Sequence, residues 1–148
     1  MVRHVGLVLA VAGLLGASGA HAAPQRLVHF QSPSGNINCI LDTTYADCLV
    51  RRHAWRNLPT RPASCDVDWV PSEISLSGRK LFVGACRGDV GPLCLPRGGL
   101  RCTTLAYGRS VVVGGIRCVS AVNGVTCRRR EGRRIGFRVA REGYTLFR

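Results

Sequence analysis

The residues of this 148-residue chain best placed to do covalent chemistry are its eight cysteines, Cys39, Cys48, Cys65, Cys86, Cys94, Cys102, Cys118 and Cys127. Nowhere do two stand as Cys-x-x-Cys, so ribbon-type zinc binding and thioredoxin-like exchange both lack their spacing, and no metal or cofactor is expected. An even number of cysteines in a chain that opens like an exported one reads instead as four disulfides. The opening is Met1-Val2-Arg3-His4, a short positive start, followed by an apolar stretch over residues 5–15 and the small-residue site Ala20-His21-Ala22. That stretch falls short of the roughly 18 residues a membrane span needs, so residues 1–22 are expected to be a cleaved signal peptide. Residues 23–148 then form a single disulfide-rich β-domain, secreted or periplasmic, with no transmembrane span. No cysteine lies at the cleavage site to carry a lipid anchor.

General acid–base or nucleophilic chemistry has few candidates. The expected mature chain keeps two histidines, His29 and His53, and all eight carboxylates. His29 alternates with Val28 and Phe30 and reads as a strand surface residue; His53 stands among Arg51, Arg52 and Trp55. Asp66, Asp68 and Asp89 flank Cys65 and Cys86, and a bridge between those cysteines would gather them into a carboxylate cluster of the kind a hydrolase uses. The plainer role for the same aspartates is capping turns around the bridge. No phosphate-binding loop or nucleophile elbow is present, so no catalytic residue is assigned and a non-catalytic domain is expected. Arg87-Gly88-Asp89 spells an integrin-binding tripeptide, but three residues inside a cysteine-flanked turn match by chance. Trp55 and Trp69, among prolines and arginines, fit core packing better than a ligand platform.

Charge gives the clearest functional lead. The chain carries 21 basic against 8 acidic side chains, and loss of Arg3 with the leader leaves 20 against 8, a net +12. Nine arginines fall within residues 117–148, and Arg128, Arg129, Arg130, Arg133 and Arg134 are bunched just beyond Cys127. Such a field favours anionic partners: phospholipid, lipopolysaccharide or an acidic polymer of the envelope or exterior. Export, and the lack of the basic-aromatic motifs of single-strand binders, leave nucleic acid as an incidental polyanion. A secreted inhibitor would need an acidic target enzyme, since like charge disfavours a basic one.

These residues must be positioned by strands. Short runs rich in Val, Ile, Leu, Thr and Phe, separated by Gly, Asn, Asp and Pro about every ten residues, predict strands over 27–31, 37–41, 47–52, 73–77, 80–86, 110–113, 116–120, 125–129 and 136–140. No sustained helical period appears. Residues 55–71 hold Pro59, Pro62 and Pro71 and read as an irregular crossing loop pinned by Cys65, and glycine-rich 88–99 as a second loop. The expected fold is all-β: a small disulfide-stapled antiparallel sandwich or barrel-like domain.

Two segments repeat. Gly35-Asn36-Ile37-Asn38-Cys39, eight residues and Cys48 match Gly114-Gly115-Ile116-Arg117-Cys118, eight residues and Cys127. An even number of intervening residues places each cysteine pair directly opposite in a hairpin folded about its midpoint, at about 4.5–5.5 Å, where a disulfide fits. The second hairpin then needs a four-residue loop, 121–124, with Gly124 at positive φ. A two-residue Asn123-Gly124 turn would instead set Cys118 opposite Arg129. The favoured pairing is Cys39–Cys48, Cys118–Cys127 and, by proximity, Cys65–Cys86 and Cys94–Cys102, out of about 105 connectivities open to eight cysteines.

The ordered motifs Phe30-Gln31-Ser32-Pro33-Ser34-Gly35-Asn36-Ile37-x-Cys39, Cys65-Asp66-x-Asp68-Trp69, Cys86-x-Gly88-Asp89, Leu105-x-Tyr107-Gly108, Cys118-x-Ser120, Gly124-Val125-Thr126-Cys127 and Gly136-Phe137 run through nearly the whole chain after the leader. In them the sequence resembles a family of small exported, cysteine-rich bacterial proteins of unknown function. The resemblance implies export and fold, with no activity attached. The chain departs from the pattern at Arg134-Ile135, where the family has Gly-His ahead of Gly-Phe, and by the added Cys94 and Cys102.

Overall fold

A computed structural model describes residues 26–89, 91–95 and 101–148. The expected leader and residues 96–100 of the glycine-rich loop lie outside the described residues. Eleven strands run in chain order: β1 (Val28–Gln31), β2 (Ile37–Leu41), β3 (Tyr45–Val50), β4 (Asp68–Ser77), β5 (Lys80–Arg87), β6 (Thr103–Thr104), β7 (Ser110–Val113), β8 (Ile116–Ala121), β9 (Gly124–Arg129), β10 (Gly136–Val139) and β11 (Tyr144–Phe147). They form two sheets, ordered β5-β4-β3-β2-β1-β6 and β11-β10-β9-β8-β7. Neither closes on itself, so of the two all-β forms expected the sandwich is the one adopted.

The sequence repeat is a repeat of topology. Strands β1 to β5 form one antiparallel meander and β7 to β11 another, with β6 added in parallel beside β1. In each meander a disulfide joins the second strand to the third: Cys39 opposite Cys48 and Cys118 opposite Cys127, with Cα–Cα distances of 4.2 and 4.0 Å. Cys65–Cys86 and Cys94–Cys102 complete four disulfides.

Strand alternation builds the core. On β8 and β9, Ile116, Cys118, Val125 and Cys127 point inward and are fully buried, whereas Arg117 is exposed. Phe30, Leu41, Ile74 and Leu76 from the first sheet meet Phe137 and Val139 from the second, and the two hairpin disulfides lie among them. Trp55 also joins this cluster, its Nε1 donating to the Ala140 carbonyl at 2.8 Å and its ring 4.9 Å from that of Tyr144.

Three expectations are corrected. The second hairpin closes on Val122-Asn123 alone, because Ala121 pairs with Gly124; the four-residue loop is absent, although the cysteine register it was invoked for is present. Gly124 takes φ 124°, and a Cβ there would stand 2.1 Å from the Val139 carbonyl oxygen, so β10 approaches too closely for any other residue. Strand β4 begins at Asp68 and passes through Pro71, inside the stretch expected to be loop. Its ladder to β5 breaks between Val70 and Ile74, and Pro71 sits in that bulge, where no donor is needed. Finally, β6 and β11 were not foreseen, being two and four residues long.

Candidate functional site

The outer face of the second sheet is where the arginines collect. Because Cys118 and Cys127 face inward, their neighbours Arg117 and Arg128 face outward, and the register sets those two directly opposite one another. On its other side Arg128 is opposite Gly136, which is in turn opposite Phe147 of β11. A Cβ on Gly136 would lie 2.6 Å from Arg128 Cγ, so the missing side chain is what lets Arg128 cross β10. Its guanidinium reaches the Phe147 ring, 3.4 Å from the centroid, a cation–π contact that fixes the charge in place.

Arg129 reaches toward the first sheet. Its Nε donates to the carbonyl of Gly78, in the turn between β4 and β5, at 2.5 Å. Together Arg117, Arg128, Arg129, Arg130 and Arg134, with Val119 and Thr126, line a hollow of about 330 Å³. The five clustered arginines of the sequence are therefore divided: four share this hollow with Arg117, while Arg133 lines another with Arg79, Lys80 and Arg148. Among the described residues every ion pair is made by Arg87, and none by these arginines.

The Cys65–Cys86 bridge expected to gather Asp66, Asp68 and Asp89 is formed, and Asp68 stands opposite Arg87 in the β4–β5 register. Asp66 and Asp68 are exposed, and Asp89, 74% exposed, accepts from Arg87 Nη1 at 3.3 Å and from the Gly91 N–H at 3.0 Å, capping the turn after β5. The carboxylates that are buried together are Asp47 and Glu73, 0% and 2% exposed, on the outer face of the first sheet. Arg87 binds both: Nε donates to the two Glu73 oxygens at 2.7 Å each, and Nη2 meets Glu73 Oε1 and Asp47 Oδ2. Tyr45 Oη also donates to Asp47 Oδ2, at 2.7 Å, whereas Asp47 Oδ1 is buried with no partner.

Burial covers this group from above. Cys94 N–H donates to Asn38 Oδ1 at 3.1 Å, and Gly91 packs so closely on Arg87 that a Cβ would lie 2.7 Å from Nε. Burial, reinforced by the Glu73 carboxylate, pushes the Asp47 carboxyl up to about 8, against the opposite pull of Tyr45 and Arg87. Burial and Asp47 likewise push the Tyr45 hydroxyl up, and the Glu73 hydrogen bond holds Arg87 firmly protonated. Sequence reasoning missed this group, although Asp47 shares a strand face with Tyr45 and Leu49, and a carboxylate on a face that apolar residues cover demands a partner. Arg87, read as part of a tripeptide, is that partner.

The remaining candidates serve packing. Trp69 Nε1 donates to the Pro59 carbonyl at 3.1 Å, and its ring fills the space over Gly84. His29, half-buried on β1, is held below its ordinary pKa by burial. An open, polar cleft of about 530 Å³ lies where the Ser32–Asn36 turn meets the β8–β9 and β10–β11 turns, with Arg52, Tyr107, Arg141 and Glu142 on its walls.

Comparison with curated proteins finds no match, and comparison with solved structures finds none. A family described as one of unknown function, DUF6636, matches residues 9–147. That match spans both meanders, all eight cysteines and the arginine hollow. The chain belongs to this family of unknown function.

Proposed function

We propose that the protein is an exported, non-catalytic binding domain whose second sheet holds anionic groups through Arg117, Arg128, Arg129, Arg130 and Arg134. The observation that carries this reading is the Arg117–Arg128 cross-strand pair, at the centre of a hollow with no carboxylate on its walls. Like charges directly opposite on neighbouring strands are destabilising, and an anion between them removes the penalty. Arg128 Nε–H has no acceptor among the described residues. Guanidinium forks suit the paired oxygens of phosphate and carboxylate, so headgroup phosphate, lipopolysaccharide and acidic polymer all present the required chemistry.

The non-catalytic part rests on the carboxylates. Those suited by sequence to hydrolysis, Asp66, Asp68 and Asp89, are exposed, with Asp89 bound to Arg87 and the Gly91 N–H, and Asp47 and Glu73 are tied to Arg87 beneath a covering segment. Export is supported by four disulfides, and no helix among the described residues is long and apolar enough to cross a membrane.

Calorimetric titration with inorganic polyphosphate at low salt tests the reading. The unmodified protein binds, and the variant Arg117→Gln/Arg130→Gln/Arg134→Gln binds at least tenfold more weakly with an unchanged melting temperature. Equal binding by the two proteins overturns it.

A further inference from the structure

Beside the arginine hollow the structure holds a second cationic surface with a different character. Arg79, Lys80, Arg133 and Arg148 line a hollow of about 380 Å³ together with Leu81, Phe82 and Ile135. Phe82, on β5, is 48% exposed, a large apolar side chain in the open among four cations. Its neighbours Leu81 and Ile135 lean on the core, so Phe82 is the part of this surface that projects. The two hollows adjoin. Arg129, from the first, binds the carbonyl of Gly78 next to Arg79, and Arg133 and Arg134, consecutive in the β9–β10 connection, line one hollow each.

We propose that this end of the sandwich docks on an anionic lipid bilayer, with Phe82 entering the headgroup region and Arg79, Lys80, Arg133 and Arg148 around it lying on the phosphates. The proposal rests on the anion-binding reading above and narrows its partner to a lipid surface. Charge complementarity selects an anionic surface, since four cations (Arg79, Lys80, Arg133 and Arg148) line the hollow around Phe82 with no Asp or Glu among them. Phe82 separates a bilayer from a soluble polyanion: an acidic polymer offers nothing apolar to an exposed phenyl ring, whereas the headgroup–acyl boundary takes an aromatic side chain with basic neighbours. Each cation near an anionic surface contributes about fivefold to partitioning, and withdrawing the exposed half of a Phe side chain from water contributes a similar factor.

The test is co-sedimentation with phosphatidylglycerol/phosphatidylcholine vesicles, beside titration with soluble polyphosphate, for the unmodified protein, Phe82→Ser and Lys80→Gln/Arg133→Gln. The expected result is that Phe82→Ser lowers vesicle partitioning about fivefold and leaves polyphosphate binding unchanged, and that Lys80→Gln/Arg133→Gln lowers vesicle partitioning by about 25-fold. Near-equal vesicle partitioning by Phe82→Ser and the unmodified protein overturns the lipid proposal while leaving anion binding intact. Failure of the unmodified protein to bind either probe overturns both. Because Phe82 is exposed, Phe82→Ser should fold, and an unchanged circular dichroism melt verifies it.

Discussion

Cys48 Sγ lies 4.0 Å from Cys127 Sγ, so the disulfides of the two repeated hairpins touch across the middle of the sandwich. Each repeat contributes one strand-to-strand staple, and the two staples are one another's packing partners. Replacing Cys118 and Cys127 with alanine should therefore cost more than chain entropy alone. Closing a loop of this size stabilises by about 2–3 kcal/mol, and the cavity left against Cys48 adds to that loss. Urea unfolding should show a loss above about 3 kcal/mol; less than about 1 would mean that the sheets close up without the sulfurs.

Accessibility should order the reduction of the bridges. Cys86 is exposed, whereas Cys39, Cys48, Cys118 and Cys127 are fully buried. Brief treatment of the folded protein with a mild reductant, followed by alkylation and peptide mapping, should label Cys65 and Cys86 while the four core cysteines stay blocked. Early labelling of Cys118 or Cys127 would contradict the packing described.

The buried Asp47 carboxyl gives a pH dependence of definite sign. Its folded value, near 8, lies above its ordinary value of 3.8, so the folded state keeps a proton that the unfolded chain releases. Its contribution to stability is full below about pH 4, falls as pH rises toward 8 and is flat beyond. Asp47→Asn, which resembles the protonated acid, should remove that slope. Melting temperatures of the two proteins should diverge most between pH 4 and 8, and parallel curves would place the charge elsewhere.

Removing the counter-charge is more severe. Arg87→Met leaves Glu73 buried without its partner and should destabilise by about 3–5 kcal/mol, as loss of one member of a buried pair does. Denaturant unfolding measures it; a loss below about 1 kcal/mol would show that water reaches the carboxylates.

How far the sequence led depends on the range of the interaction. Period-2 alternation is local, so nine of the eleven strands were legible, as was the Cys-x8-Cys register, which depends only on an even count. The path through Pro71 was not, because the bulge that accommodates it arises from pairing with β5. The arginines were visible as a cluster, yet Arg117, eleven positions before Arg128, completes the hollow through the β8–β9 register, and Arg133 leaves it. The Asp47–Glu73–Arg87 group joins residues from three strands beneath Gly91, and no local pattern pairs Asp47 with a side chain forty positions away.

The most direct measurement of the central claim is an NMR titration of arginine-labelled protein with polyphosphate at low salt, following the guanidinium Nε–Hε resonances. Arg117, Arg128, Arg130 and Arg134 should shift together and saturate at one stoichiometry, while Arg52 and Arg141, in the polar cleft, stay still. Shifts centred on Arg52 and Arg141, or small shifts spread evenly over all arginines, would contradict an anion site on the second sheet.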